Sequence, residues 1–274
     1  ISARAEFHNQ SKITDPNICN LCKNQTHNPE LKRFKNTYSL MLDEQVLKQK
    51  HAQEKSQKKI MNIPWALLYI NDEELNEVID TVKSSWLAKG PKVAQFEEIA
   101  RSIIRTKHAI AVNNGTSALD VALKILSIKP GDEVIVPAMA YIATANSVLY
   151  QHAVPVFADI HPETFCLDPA DVEQIITAKT KAIIAIDYAG QGADWKRLRE
   201  IAVKNNLFLI EDGAPSFGGE QNGKKLCSFG DLSITSFHTA KSFAAVEGGM
   251  LFTDNDAYEK KARIIWGAIL ILIF

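Results

Sequence analysis

Between residues 109 and 211, short apolar runs alternate with stretches of helical periodicity. The apolar runs fall at 109–112, 133–136, 154–158, 181–186 and 207–211, and helical patterns fill 117–127, 142–151, 169–178 and 194–204. A strand covered on both faces reads as a continuous apolar run, and a helix is the usual connection that returns the chain to a parallel neighbour. The alternation predicts an α/β fold: βαβ units in a mostly parallel sheet with helices on both faces. Two further runs, 231–237 and 249–253, bracket a loop that contains Lys241. With 274 residues, 46% of them hydrophobic, the chain is long enough to bury one sizeable core.

That loop carries the most telling chemistry. Lys241 ends the string Ser236-Phe237-His238-Thr239-Ala240-Lys241, ahead of Glu247-Gly248-Gly249. Upstream, the apolar run Leu207-Phe208-Leu209-Ile210 closes on Glu211-Asp212. A strand-end carboxylate, then a lysine with a serine five residues before it, suits pyridoxal phosphate. The amine forms a Schiff base with the cofactor aldehyde, and the carboxylate holds a proton on the pyridine nitrogen. The carboxylate raises that nitrogen's pKa because opposite charges favour the protonated form. The lysine must be neutral to attack, so burial and nearby positive charge should lower its pKa. Taken singly, each residue reads as readily as a solvated side chain.

A second cluster, Asn113-Asn114-Gly115-Thr116-Ser117-Ala118-Leu119, follows the apolar run 109–112 and opens a helical pattern of Leu119, Ala122, Leu123 and Leu126. A strand, a glycine turn and a helix start make an anion site, where free N–H groups and the positive helix end converge. The hydroxyls of Thr116 and Ser117 can add hydrogen bonds to a phosphate. The same residues also suit an ordinary helix cap by Asn or Thr. At this level both readings stand.

Further strings occur in order: Trp86-Leu87-Ala88-Lys89-Gly90-Pro91, Pro130-Gly131-Asp132-Glu133-Val134-Ile135-Val136-Pro137, Tyr141-Ile142-Ala143-Thr144-Ala145-Asn146, Asp187-Tyr188-Ala189-Gly190-Gln191 and Ser228-Phe229-Gly230-Asp231. With the lysine string and the glycine turn, they make residues from about Ile63 to Trp266 resemble the DegT/DnrJ/EryC1/StrS aminotransferases, which are nucleotide-sugar aminotransferases. The resemblance implies the large domain of the pyridoxal-phosphate transferase fold type I. It implies catalytic roles for Lys241 and Asp212, with Lys241 also shuttling a proton as base then acid. Cofactor contacts are implied for Gly115, Thr116, Ser117, Tyr141, Asp212, Ser236 and Lys241. Tyr141 stacks on the ring, while Thr116, Ser117 and Ser236 hold the phosphate. His238 is expected in the site wall. The implied reaction moves an amino group, with glutamate as expected donor, onto a nucleotide-linked keto-deoxy sugar, in a homodimer. One position departs from the pattern: where relatives commonly carry a Gln or His toward the cofactor's phenolic oxygen, this chain has Pro215. Some relatives replace the lysine by histidine and dehydrate their substrate; Lys241 argues against that class.

The two ends read differently. Residues 1–62 are polar, with eleven Lys/Arg against six Asp/Glu, while the remainder carries 20 against 26. They are expected to be a non-family or disordered extension. Their Cys19-Asn20-Leu21-Cys22 supplies half of a four-ligand zinc site at most, and no metal is expected. Residues 40–59 carry a weak helical pattern. Residues 267–274, Gly-Ala-Ile-Leu-Ile-Leu-Ile-Phe, are too short an apolar stretch for a bilayer, which needs about 20 residues. They read as a sticky strand, from truncation or a shifted frame, with the relatives' C-terminal small domain largely missing. A non-catalytic cofactor-binding remnant is therefore the alternative function. A nucleotide-binding Rossmann protein fits less well, since no Gly-x-Gly-x-x-Gly follows the first strand. A net charge of −1 gives no sign of a nucleic-acid partner. With no signal peptide or spanning helix evident, the four cysteines read as thiols and the compartment as the cytoplasm.

Overall fold

The fold is described from a computed structural model covering residue 66 and residues 68–271, with side chains to Trp266. The chain divides into two units, Ile1–Ile63 and Pro64–Phe274, and the described residues all belong to the second. The extension 1–62, with Cys19, Cys22 and segment 40–59, lies outside them.

Two helices come first, α1 (Asp72–Lys83) and α2 (Pro91–Ile104). Five strands then alternate with four helices: β1 (His108–Val112), α3 (Gly115–Ile125), β2 (Glu133–Pro137), α4 (Ala143–Tyr150), β3 (Val154–Ala158), α5 (Pro169–Ile175), β4 (Thr180–Ile186), α6 (Trp195–Asn205) and β5 (Phe208–Asp212). A small hairpin follows, β6 (Glu220–Gln221) and β7 (Lys224–Lys225), turning on Asn222-Gly223. Both turn residues have positive φ, 51° and 79°, as a two-residue hairpin loop demands. Strands β8 (Leu232–Ser236) and β9 (Gly249–Thr253) bracket the Lys241 loop, and α7 (Asp256–Ile271) ends the described chain.

Seven strands form one sheet in the order β1-β9-β8-β5-β4-β2-β3. Only β9 runs against its neighbours among these strands. This is the mostly parallel α/β sheet that the alternating pattern predicts. Side chains alternate across it, as a pleated strand requires. Val134, Val136, Ala182, Ile184 and Ile210 join one core with α3, α4 and α7. Ile135, Ile183, Ala185 and Leu209 join the opposite core with α5 and α6. The helix pattern read at Leu119, Ala122, Leu123 and Leu126 is buried in the first core. Continuous apolar strands with amphipathic helices bring this about: each strand needs cover on both faces, each helix on one.

The expected strand in the tail is not found, because residues 267–271 continue helix α7. Gly267 apart, the residues that extend it are good or tolerable helix formers. Residues 272–274 lie outside the described ones.

The sheet carries an unusual polar group at the carboxyl end of its central strands. Asp187, just past β4, and Glu211, in β5, are both fully buried. Asp187 Oδ1 accepts from the Trp195 indole at 2.9 Å and the Ala193 N–H at 3.2 Å, and Oδ2 accepts from the Ser216 hydroxyl at 2.8 Å. Glu211 accepts from the N–H groups of Cys227 and Phe229, each at 2.6 Å, and from the Ser233 hydroxyl at 2.7 Å. It thereby fastens the 227–230 turn to the sheet. Burial pushes both carboxyls above their ordinary values, and the neighbouring Glu211 charge helps take Asp187 up to about 9. Asp187, with fewer donors than Glu211, holds a proton at neutral pH.

Two outcomes are expected. First, Gly249 pairs with both Val112 and Ser236, and a Cβ there would overlap the Asn114 carbonyl. Gly249→Ala should cost about 1–3 kcal/mol through overpacking, read as a lower denaturant midpoint. Second, the folded protein keeps a proton on Asp187 that the unfolded chain releases above its ordinary value of 3.8. Stability should then fall as pH rises from about 4 to about 9, since the folded state binds more protons there. Asp187→Asn mimics the neutral acid, so its melting temperature should fall less over that range. Parallel profiles for parent and variant would refute the proton on Asp187.

Candidate active site

The carboxyl ends of β1, β2, β4, β5 and β8 meet at one rim of the sheet, where ligands of open α/β sheets bind. Because β9 is antiparallel, it starts at that same rim, so the Lys241 loop leaves from it and returns to it. A cavity of about 520 Å³ opens there. Gly115, Thr116, Tyr141, Asp212, Ser236 and Lys241 line it, as does His238. Residues spread over more than a hundred positions of sequence thus face a single space.

The start of α3 forms one end of the cavity. Asn114 caps the helix, its side-chain oxygen accepting from the Ser117 N–H at 2.8 Å. Helix geometry leaves the N–H groups of Gly115 and Thr116 without acceptors inside the helix. The two sequence readings of this cluster are therefore compatible: Asn114 caps while Gly115 and Thr116 border the cavity. Ser117 spends its N–H on the cap and is not among the lining residues. Ser236 closes the cradle from the end of β8. A Cβ on Gly115 would sit 2.9 Å from the Ser236 Cβ, so glycine is what allows this approach.

Asp212 forms the floor. It is only 3% exposed. Its Oδ2 accepts from the Thr144 hydroxyl at 3.1 Å and its Oδ1 from the Ala214 N–H at 3.2 Å. Burial raises the Asp212 carboxyl above its ordinary value; the Ala214 N–H, the Thr144 hydroxyl and the Lys241 charge pull it back. A desolvated carboxylate of this kind is stabilised by a cation placed against it. Tyr141, 71% exposed, stands on the wall just before α4. The Lys241 loop is held by turns of its own: the Lys241 N–H donates to the His238 carbonyl at 2.9 Å, and the Ala245 N–H donates to the Phe237 carbonyl at 2.8 Å. His238 Nε2 lies 3.6 Å from Glu247 Oε1 across the loop.

Pyridoxal phosphate fits these residues. Two free N–H groups and the Thr116 hydroxyl at a helix start, with the Ser236 hydroxyl at a strand end, match a phosphate, the buried carboxylate matches a protonated ring nitrogen, and a lysine lines the same space. Pro215 is not among the lining residues, so it supplies no contact in place of the Gln or His expected there. Sequence reasoning assigned no role to Thr144 or Glu247, though both fall inside quoted strings; Thr144 holds Asp212 and Glu247 lines the cavity. Their roles depend on contacts across 68 positions in one case and on loop closure in the other. Among the described residues no metal-ligand cluster occurs, and no helix is long and apolar enough to cross a membrane. Cys166 and Cys227 are buried free thiols.

Comparison with known proteins gives the same outline. The spore coat polysaccharide biosynthesis protein SpsC of Bacillus subtilis is 40% identical over 209 residues, covering 76% of this chain and 54% of that protein. GDP-perosamine synthase of Caulobacter vibrioides is 42% identical over 199 residues, covering 72% of this chain and 54% of that protein. The chain thus spans about half the length of these curated relatives. Among solved structures, a Streptococcus pneumoniae protein assigned as a sugar aminotransferase, in its PLP-form, superposes with a TM-score of 0.71 at 33% identity, covering 74% of this chain and 57% of that one. The same protein is also known in a PMP-form. The fold is accordingly that of the pyridoxal-phosphate-dependent aminotransferases. The family model of the DegT/DnrJ/EryC1/StrS aminotransferases matches residues 68–267, and the chain belongs to that family.

Proposed function

We propose that this chain forms the cofactor-binding domain of a sugar aminotransferase, residues 63–266, which moves an amino group from glutamate to a nucleotide-linked keto-deoxy sugar. The observation that carries the reading is the single cavity shared by Lys241, Asp212 and the helix start at Gly115 and Thr116. The likeness to GDP-perosamine synthase supports a nucleotide-linked sugar as acceptor. When bound, pyridoxal phosphate supplies an electron sink for the carbon that loses or gains nitrogen.

The protein's own residues do the rest. The N–H groups of Gly115 and Thr116, with the hydroxyls of Thr116 and Ser236, bind the phosphate and fix the cofactor's position, while Ser117, expected there too, supports the turn through the Asn114 cap. Asp212 accepts a ring N–H and balances its charge within a desolvated floor. Tyr141 offers an aromatic face to the ring. Lys241 Nζ, once neutral, takes a proton from the substrate carbon and returns it, as base then acid. His238 and Glu247 form the wall nearest the loop. The site works in a homodimer in the cytoplasm: α1 exposes Leu75, Val78 and Val82 along one face, an apolar surface suited to a second copy.

Borohydride treatment of the chain with pyridoxal phosphate should leave a covalent adduct, and mass spectrometry should map it to Lys241. Lys241→Ala should lose that adduct and slow single-turnover transfer from glutamate by about 10²–10⁴-fold. An adduct on another lysine, or full transfer by Lys241→Ala, would overturn the assignment. An adduct on Lys241 with no single turnover would favour the non-catalytic remnant.

A further inference from the structure

One buried polar side chain touches the cavity floor, and its contact with Asp212 bears on that residue's charge. Thr144 is 1% exposed and its hydroxyl points at Asp212 Oδ2, 3.1 Å away. It is the second residue of α4, and its N–H donates to the Tyr141 carbonyl at 3.0 Å. The turn that carries the aromatic wall therefore also carries the group that touches the floor. The other carboxylate oxygen is held from a different direction, by the Ala214 N–H in the turn after β5. Each oxygen has one donor, and the two donors come from separate elements. A carboxylate gripped at both oxygens cannot rotate to follow a wandering partner.

We infer that Thr144 is a positioning residue that orients the Asp212 carboxylate and holds it as an anion for the cofactor's ring nitrogen. The inference rests on the proposed role of Asp212. A hydrogen bond from a neutral donor to an ionised acceptor is stronger than one between neutral groups, so the hydroxyl favours the charged form of its neighbour. This help matters because burial works against charge at that position. The ionisable groups around Asp212 are few. Lys241 faces it from the β8–β9 loop, with His238 and Glu247 along the same cavity and Tyr141 on the wall. On the neighbouring strand ends lie Asp187, whose N–H donates to the Asp212 carbonyl at 3.1 Å, and Glu211, with Cys227 beyond.

Two substitutions separate the hydroxyl from the methyl group. Thr144→Val keeps the packing shape and loses the donor; Thr144→Ser keeps the donor and loses the methyl. The measurement is pyridoxal phosphate affinity of the 274-residue chain, by intrinsic fluorescence quenching, from pH 5 to pH 9. Thr144→Val should bind about tenfold more weakly at neutral pH, and the acid limb of its affinity profile should move up by about one pH unit. Thr144→Ser should keep the parent's profile. An unmoved acid limb in Thr144→Val, or an equal shift in Thr144→Ser, would overturn the inference. Asp212→Asn distinguishes the two levels of the argument: it should weaken binding and lose the acid limb. If Asp212→Asn binds like the parent with its limb intact, the reading of Asp212 itself falls. Should Thr144→Val fail to melt cooperatively, Thr144→Ala is judged by the same two criteria.

Discussion

The register that sets Gly249 between Val112 and Ser236 governs how the cavity is built. At that point β9 has no side chain, and the start of α3 lies directly against its backbone. Gly115 repeats the device from the other side, giving Ser236 room to close in. Two glycines thus bring the helix start and both roots of the lysine loop to within contact distance. Any side chain at either place would part the phosphate-type cradle from the loop that carries Lys241. The free N–H groups would then point at a gap wider than one anion. The rest of the site follows from this junction, since the parallel strands already deliver Asp212 and Tyr141 to the same rim.

Three carboxyls lie close together at that rim, and the pleat separates their work. Glu211 and Asp212 are consecutive in β5, so their side chains leave opposite faces of the sheet. Asp212 faces α4 and the cavity and has two hydrogen-bond donors. Glu211 faces the other way and clamps the 227–230 turn, with Asp187 as its proton-bearing neighbour. One is left under-supplied with positive charge and open to a ligand. The other is satisfied by the protein alone. Adjacent residues of the same chemical type therefore face a cavity in one case and clamp a turn in the other, through orientation and donor number.

Much of this was legible in the residues. Apolar runs of four to six residues located β1 to β5 to within one or two positions, because buried parallel strands leave no polar alternation to blur their edges. Lys241, Asp212, Tyr141, Thr116 and Ser236 stand around the cavity because their strings sit at strand ends, and strand ends share a rim. The β6–β7 hairpin had a local signal in Asn222-Gly223, but its strands are two residues long and too short for a period to show. Tail residues 267–271 are helical where a strand was expected, since a short apolar run does not by itself distinguish the two. Thr144 and the Asp187–Glu211 pair could not be read from spacing. Their significance lies in distances between segments far apart in the chain, and in burial that no local pattern reports.

The reversed direction of β9 has a consequence for how such a protein can change. The excursion from Ser236 to Gly249 begins and ends on paired residues, and Phe237 at its start is buried against Met250 and Phe252, so the sheet holds the loop at its roots. Changes of length between those roots, beyond Phe237 and before Gly248, leave strand order and pairing untouched. The middle of the Lys241 loop is thus a module plugged into a fixed socket, and its sequence can vary while the scaffold's folding information stays the same.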